Sequence, residues 1–170
     1  MKKLYFILTV FFTAIGAFAQ KNTVEIQGST NVNSFKCINQ SLPAPKVTVQ
    51  SNKNFYLPDF KIPVDKFDCY NRIMTSDLKK TLKSDSFPYI TIDFVSFTKN
   101  KNGKYGSWAE VKLMNRIKKY YFEFSLNNSQ LTGSRIIKFS DFKIEPPKKM
   151  GGMIYVKDDI NLVFRMQVNN

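Results

Sequence analysis

Near the C-terminal end, Ile160, Leu162, Phe164, Met166 and Val168 are apolar at every second position, while Asp159, Asn161, Arg165 and Gln167 between them are polar. A period of two places the apolar groups on one face of an extended strand and the polar groups on the other. A strand with one dry and one wet face belongs in an antiparallel sheet or a barrel.

The same pattern recurs along the chain. Val24 and Ile26 alternate with Thr23, Glu25 and Gln27 ahead of a turn expected at Gly28-Ser29, and Val32 to Ile38 forms a second extended run. Leu42 to Pro63 is less regular, because Pro43, Pro45, Pro58 and Pro63 confine any strand there to an edge, a bulge or an end. Tyr89–Phe97 and Tyr105–Met114 flank the turn signal Asn102-Gly103. Asn115 and then Asn127-Asn128 separate the next pairs, since asparagine tolerates the left-handed backbone of a tight hairpin. The expected fold is mainly all-β: an antiparallel up-and-down β-barrel of about eight strands with one short α-helix, whose closure removes exposed sheet edges. The interior of such a barrel is either filled by side chains or holds one small ligand.

The helix is expected from about Thr75 to Lys83. Met74, Leu78 and Leu82 recur every four residues and share one face. Thr75 or Ser76 caps the start, Asp77 lies in the first turn, and Lys79, Lys80 and Lys83 gather toward the end, as the helix dipole favours. Phe87-Pro88 stops it, and from Tyr89 the period changes to two, with Ile90, Ile92 and Phe94 on one face.

This lysine-bearing helix, the step Ser86-Phe87-Pro88-Tyr89-Ile90 and the strand Ile90-Thr91-Ile92-Asp93-Phe94 resemble the YceI-like family. A closing segment resembles it too: Phe142-Lys143-Ile144-Glu145-Pro146-Pro147, followed by Ile154-Tyr155-Val156-Lys157-Asp158-Asp159-Ile160. The resemblance runs from Val24 to Val168. It implies a lipocalin-like barrel of the bacterial envelope and, for some members, a polyisoprenoid ligand. The proline-interrupted Leu42–Pro63 stretch and the pair Cys37/Cys69 lie outside the family pattern, so ligand contacts are read from strand alternation alone.

Met1-Lys2-Lys3, an apolar run from Leu4 to about Ile15, and the small residues of Ala17-Phe18-Ala19 form a secretory leader cleaved before Gln20. Residues 1–19 are thus expected to be a signal peptide and residues 20–170 a single barrel domain, about the usual size of one. The expected location is periplasmic or secreted. With Lys and Arg at 26 against 13 Asp and Glu, the chain carries a net charge of +13, which suits an anionic membrane surface. Nucleic acid is not an expected partner in that compartment. Cys37 and Cys69 are the two cysteines. In an oxidising compartment they point to one disulfide, with two buried free thiols or a redox pair as the alternatives.

The chain has no histidine, which excludes a Ser-His-Asp or Cys-His relay and a histidine-based zinc site. Asp158-Asp159 point to opposite faces of a strand, Asp65 and Asp68 read as turn residues, and Gly151-Gly152 lacks the strand-to-helix setting of a phosphate loop. No catalytic residue, metal site or cofactor is expected, and the protein is not read as an enzyme. Ile90, Ile92, Phe94, Val111, Leu113, Phe122, Phe124, Leu162 and Phe164 are the candidates for the barrel interior. If that interior is open, these residues suit a polyisoprenoid or other long-chain lipid, with Met74, Met114 and Met166 able to adapt to it. Arg116, Lys118 and Lys119, or Lys148 and Lys149, would then stand at the mouth. The alternative is a side-chain-filled barrel acting as an envelope interaction or stress-related module.

Overall fold

The structure is a computed structural model that describes residues 21–43, 48–49, 55–56, 59–95 and 97–167. The expected leader over 1–19, its cleavage before Gln20, and Val47 and Val168 lie outside the described residues. The strands are β1 (Thr23–Ser29), β2 (Ser34–Asn39), β3 (Thr48–Val49), β4 (Phe55–Tyr56), β5 (Phe60–Pro63), β6 (Tyr89–Phe94), β7 (Thr98–Lys99), β8 (Tyr105–Leu113), β9 (Arg116–Asn127), β10 (Gln130–Lys138), β11 (Lys148–Lys149), β12 (Ile154–Tyr155) and β13 (Asp159–Gln167). The helix α1 spans Arg72–Thr81.

The main sheet runs in the order β2-β1-β13-β10-β9-β8-β6-β5, with β7 also paired to β8, and every pairing is antiparallel. Chain order and spatial order agree around the sheet, because the last strand β13 lies between β10 and β1. This is the curled antiparallel sheet that alternation predicts, and it is consistent with the lipocalin-like barrel that the resemblance implies. Its register brings apolar residues together on the inner face: Val24 opposite Phe164, Ile26 opposite Leu162, Ile92 opposite Val111, and Leu131 opposite Met166.

One seam remains, between β2 and β5. It is bridged at several points: Ile38 and Asp68 exchange backbone hydrogen bonds (2.8 and 2.9 Å), and Asn39 Nδ2 donates to Pro63 O (2.7 Å). Cys37 and Cys69 form a disulfide there, joining the second strand to the segment that enters the helix. A disulfide at this seam fits an oxidising, exported compartment.

Three local expectations are corrected. β1 continues through Gly28 to Ser29, and the reversal falls at Thr30–Asn33, where Thr30 Oγ1 accepts from the backbone N–H of Val32 and of Asn33. Gly28 is required by packing, since a Cβ there would stand 2.4 Å from the Phe35 ring. The helix begins at Arg72 rather than Thr75, because Asn71 caps it by accepting from Met74 N (3.0 Å), while Thr75 Oγ1 accepts from Cys69 N (3.0 Å). Asp77 therefore lies beyond the first turn. The helix also ends before Phe87-Pro88: Lys83 takes a left-handed backbone (φ 50°), Ser84 N donates to Lys79 O and Lys83 N to Lys80 O. That pair of bonds is a Schellman ending with lysine in the place glycine usually holds.

The hairpin turns differ in detail as well. Asn127 pairs with Gln130, so the turn residues are Asn128 and Ser129, both left-handed (φ 48° and 59°) as a primed hairpin turn requires. Between β8 and β9 it is Met114, next to Asn115, that takes positive φ (56°).

Asp93 faces outward from β6, opposite Glu110 of β8, with Oδ1 buried and no hydrogen-bond partner among the described residues. Burial, then the charges of Asp59 and Glu110, raise its pKa above the ordinary 3.8. A raised native pKa means that the fold favours the protonated acid. The resulting stabilisation is complete below the ordinary value and is lost as pH rises through the native one. Asp93→Asn is therefore expected to be more stable than wild type at neutral pH, with the advantage shrinking as pH falls toward the ordinary carboxylate range. Urea unfolding at the two pH values checks this.

Candidate functional site

The nine interior candidates all lie in one buried core, but they divide into two groups. Phe94 is the centre of the first. Its ring lies 5.9 Å from Phe60, 5.2 Å from Phe97, 5.6 Å from both Phe122 and Phe124, and 6.2 Å from Phe164, mostly edge to face. Ile92, Phe122, Phe124 and Phe164 are fully buried around it. Gly133 lies opposite Phe124 because a Cβ there would meet that ring at 2.4 Å, so the absent side chain lets the phenylalanine lie flat against β10. This half of the barrel is closed by aromatic packing.

Ile90, Val111, Leu113 and Leu162 form the second group, toward the helix end. They line a small void of about 20 Å³ together with Ile26, Leu82, Ile137, Lys138, Phe142 and Ile160. That is room for about one water molecule, and an apolar void of this kind stays dry. Two further side chains, Leu78 of α1 and Phe139, bound this void, and both also bound a much larger groove outside it.

The groove measures about 370 Å³, within the usual range for small-ligand sites. Its walls come from four places. α1 contributes Ile73, Met74, Leu78 and Thr81; β2 contributes Phe35 and Cys37; Val32 comes from the turn before β2; Phe139, Pro147, Ile154 and Val156 complete the far side. The lining is mostly apolar, with Thr30, Asn33, Asn71, Asp77, Thr81 and Lys149 as polar members.

Local chemistry fixes each wall. α1 and its C-cap turn Leu78 and Leu82 into the barrel end, while the helix leaves Met74 half-buried in the groove and carries its lysines on the outward side. Asp158 holds the Phe139 segment: its backbone O accepts from Phe139 N (3.0 Å), and its carboxylate accepts from Ser140 N (2.8 Å) and Oγ (2.5 Å). Lys143 closes the following turn with positive φ (55°). Tyr120 donates to Asp141 Oδ2 (2.6 Å), and burial followed by this bond raises the phenol's pKa above its ordinary value, so it remains a neutral donor. Lys149 Nζ pairs with Asp77 Oδ1 (2.9 Å) across the groove's edge.

Of the basic clusters, Lys149 lines the groove and Lys148 precedes it in the same short strand. Arg116, Lys118 and Lys119 lie on β9, where Lys119 pairs with Glu110 (3.1 Å). Of the methionines, Met74 reaches the groove, while Met166 is fully buried within the barrel. The groove residues Val32, Phe35, Ile73, Phe139, Ile154 and Val156 were not singled out by strand alternation, because most come from turns and short segments. Ile73 gave one signal: it is apolar beside the helix face of Met74, Leu78 and Leu82.

No family model and no curated protein matches the sequence. Among solved structures, the fold is similar to Burkholderia cenocepacia BcnA, with a TM-score of 0.66 at 14% identity over 85% of this chain and 94% of that one. It is likewise similar to the Campylobacter jejuni YceI protein, with a TM-score of 0.58 at 16% identity over 100% of this chain and 99% of that one. A mutant of the same Campylobacter protein with a monobromobimane guest matches equally well, at a TM-score of 0.58 and 16% identity over the same shares of the two chains. Likenesses at these identities describe the fold.

Proposed function

We propose that this chain, which carries a YceI-like fold, is a non-enzymatic lipid-binding protein of the cell envelope that holds a polyisoprenoid or similar long apolar chain. The observation that carries this reading is the apolar groove at the helix end, of about 370 Å³, separated from the barrel interior by Leu78 and Phe139. The aromatic half of the interior is packed, so the chain lies in the groove. Ile90, Val111, Leu113 and Leu162 become reachable when Leu78 and Phe139 turn aside. Half-buried Met74 supplies an adaptable apolar wall, and Lys149 stands where a polar head would emerge. The resemblance to polyisoprenoid-binding envelope proteins supports the ligand class.

A second reading, the side-chain-filled barrel serving as an envelope interaction or stress-related module, draws on one observation: the void inside the barrel end measures about 20 Å³. Farnesol titration in solution separates the two. Met74→Trp fills the groove and is expected to weaken farnesol binding about tenfold, while unfolding stability changes by less than about 1 kcal/mol. Unchanged affinity in Met74→Trp would place the ligand elsewhere, and no farnesol binding by the wild type would favour the filled barrel.

A further inference from the structure

Large apolar side chains stand exposed in the groove wall, at Val32 and Ile73, and next to wall residues in the chain, at Tyr70 beside Asn71, Met150 beside Lys149 and Met153 beside Ile154. Val32 is 65% exposed, Tyr70 69%, Ile73 70%, Met150 68% and Met153 72%. They come from distant stretches of chain that hydrogen bonds gather at one end. Asn31 Nδ2 donates to Met153 O (2.9 Å), Asn31 Oδ1 accepts from Tyr155 N (3.1 Å), and the Lys149–Asp77 pair ties the residue before Met150 to α1. Single exposed apolar residues are ordinary on a protein surface, whereas a group of them around one opening marks a contact surface.

The backbone reinforces this. Tyr70 and Met150 hold left-handed conformations (φ 56° and 51°), which bulky residues rarely adopt. Gly151 and Gly152 follow at φ 65° and 98°, and a Cβ on either would meet nothing within 4 Å. The Met150–Met153 turn thus lies on the open surface, with an exposed methionine at each end.

Charge selects the occupant. Arg72, Lys79 and Lys80 lie on the outward side of α1, with Lys83 and the single acid Asp85 just beyond its end, and Lys148 and Lys149 precede the turn. Asp77 is already engaged by Lys149. A second copy of a chain with net charge +13 would meet repulsion here, whereas an anionic lipid surface offers phosphates to the lysines and an acyl boundary to the apolar tips.

We propose that the helix end docks on anionic bilayers, with the Met150–Met153 turn and Ile73 entering the boundary between headgroups and acyl chains. This deepens the lipid-binding reading and rests on it: docking sets the groove mouth against the surface from which the apolar chain is drawn. The test is co-sedimentation with phosphatidylcholine vesicles, with and without phosphatidylglycerol. Wild type is expected to bind the phosphatidylglycerol vesicles, less so at high salt. Met150→Asp/Met153→Asp is expected to lower that binding by about tenfold or more, through lost apolar insertion and added repulsion. Trp108→Ser, on the outer wall, is expected to leave it unchanged.

Trp108 is the one tryptophan, so a Trp108→Phe/Met153→Trp variant reports insertion by a blue shift on the anionic vesicles, while wild-type Trp108 shows none. Farnesol affinity in solution should stay at the wild-type value in the aspartate variant, which separates loss of docking from loss of the groove. Absence of vesicle binding, or its retention by the aspartate variant, overturns docking. So does a concentration-dependent dimer that the same variant abolishes, which would make this end an interface between copies. Docking with no farnesol binding would keep the docking surface and remove the groove reading alone.

Discussion

Replacing Cys37 and Cys69 together by serine is expected to lower the unfolding free energy by roughly 3–4 kcal/mol. The crosslink spans a sequence separation of 32, and on the chain-entropy account a loop of that length restricts the unfolded ensemble by about this amount. Its place in the fold adds a structural consequence. The bridge lies at the seam between β2 and β5, where the Ile38–Asp68 backbone pair and the Asn39–Pro63 bond are the neighbouring ties. Both cysteines are buried, so the serine hydroxyls would also be left in a largely apolar surround. Urea unfolding of the oxidised wild type, the reduced wild type and the double variant measures the effect. A midpoint unmoved by reduction would contradict the stapled seam.

Phe94→Ala is expected to cost about 3–5 kcal/mol, the range for removing a large aromatic side chain from a packed core. Phe94 packs against the rings of Phe60, Phe97, Phe122, Phe124 and Phe164, so its removal opens a cavity that rigid neighbouring strands cannot collapse around. The variant should shift the urea midpoint with an unchanged slope. Its farnesol affinity should stay close to wild type, because the groove lies beyond the wall of Leu78 and Phe139. A small stability loss accompanied by a large change in binding would instead place the ligand among the phenylalanines.

The sheet was legible because its strands bury one face each. Ile160 to Met166 and Ile90 to Phe94 needed only the period of two, and their inward residues are the ones that meet across the register. The disulfide followed from two cysteines in a chain with a leader-like start. Cap chemistry was harder to read: Asn71, Thr75 and Ser76 all suit a helix start, and the choice depends on Thr75 accepting from Cys69, a contact made only once the disulfide segment is in place. Gly28 read as a turn residue, yet its role is to admit the Phe35 ring. The groove was least legible. Its walls, Val32, Phe35, Phe139, Ile154 and Val156, lie in turns, at a strand start and in short paired segments, where no period marks a face. Nor does alternation tell a filled interior from an open one, since Phe122 and Phe124 show the same spacing in either case.

The groove at the helix end is proposed to hold one long apolar chain. Native mass spectrometry of the protein purified without detergent from its own cell envelope tests it most directly, paired with organic extraction of the same sample. A bound species is expected, one per chain, released by organic solvent as an isoprenoid or similar lipid and diminished in Met74→Trp. A protein that flies at its bare mass, yields no lipid on extraction and takes up no added farnesol would contradict it.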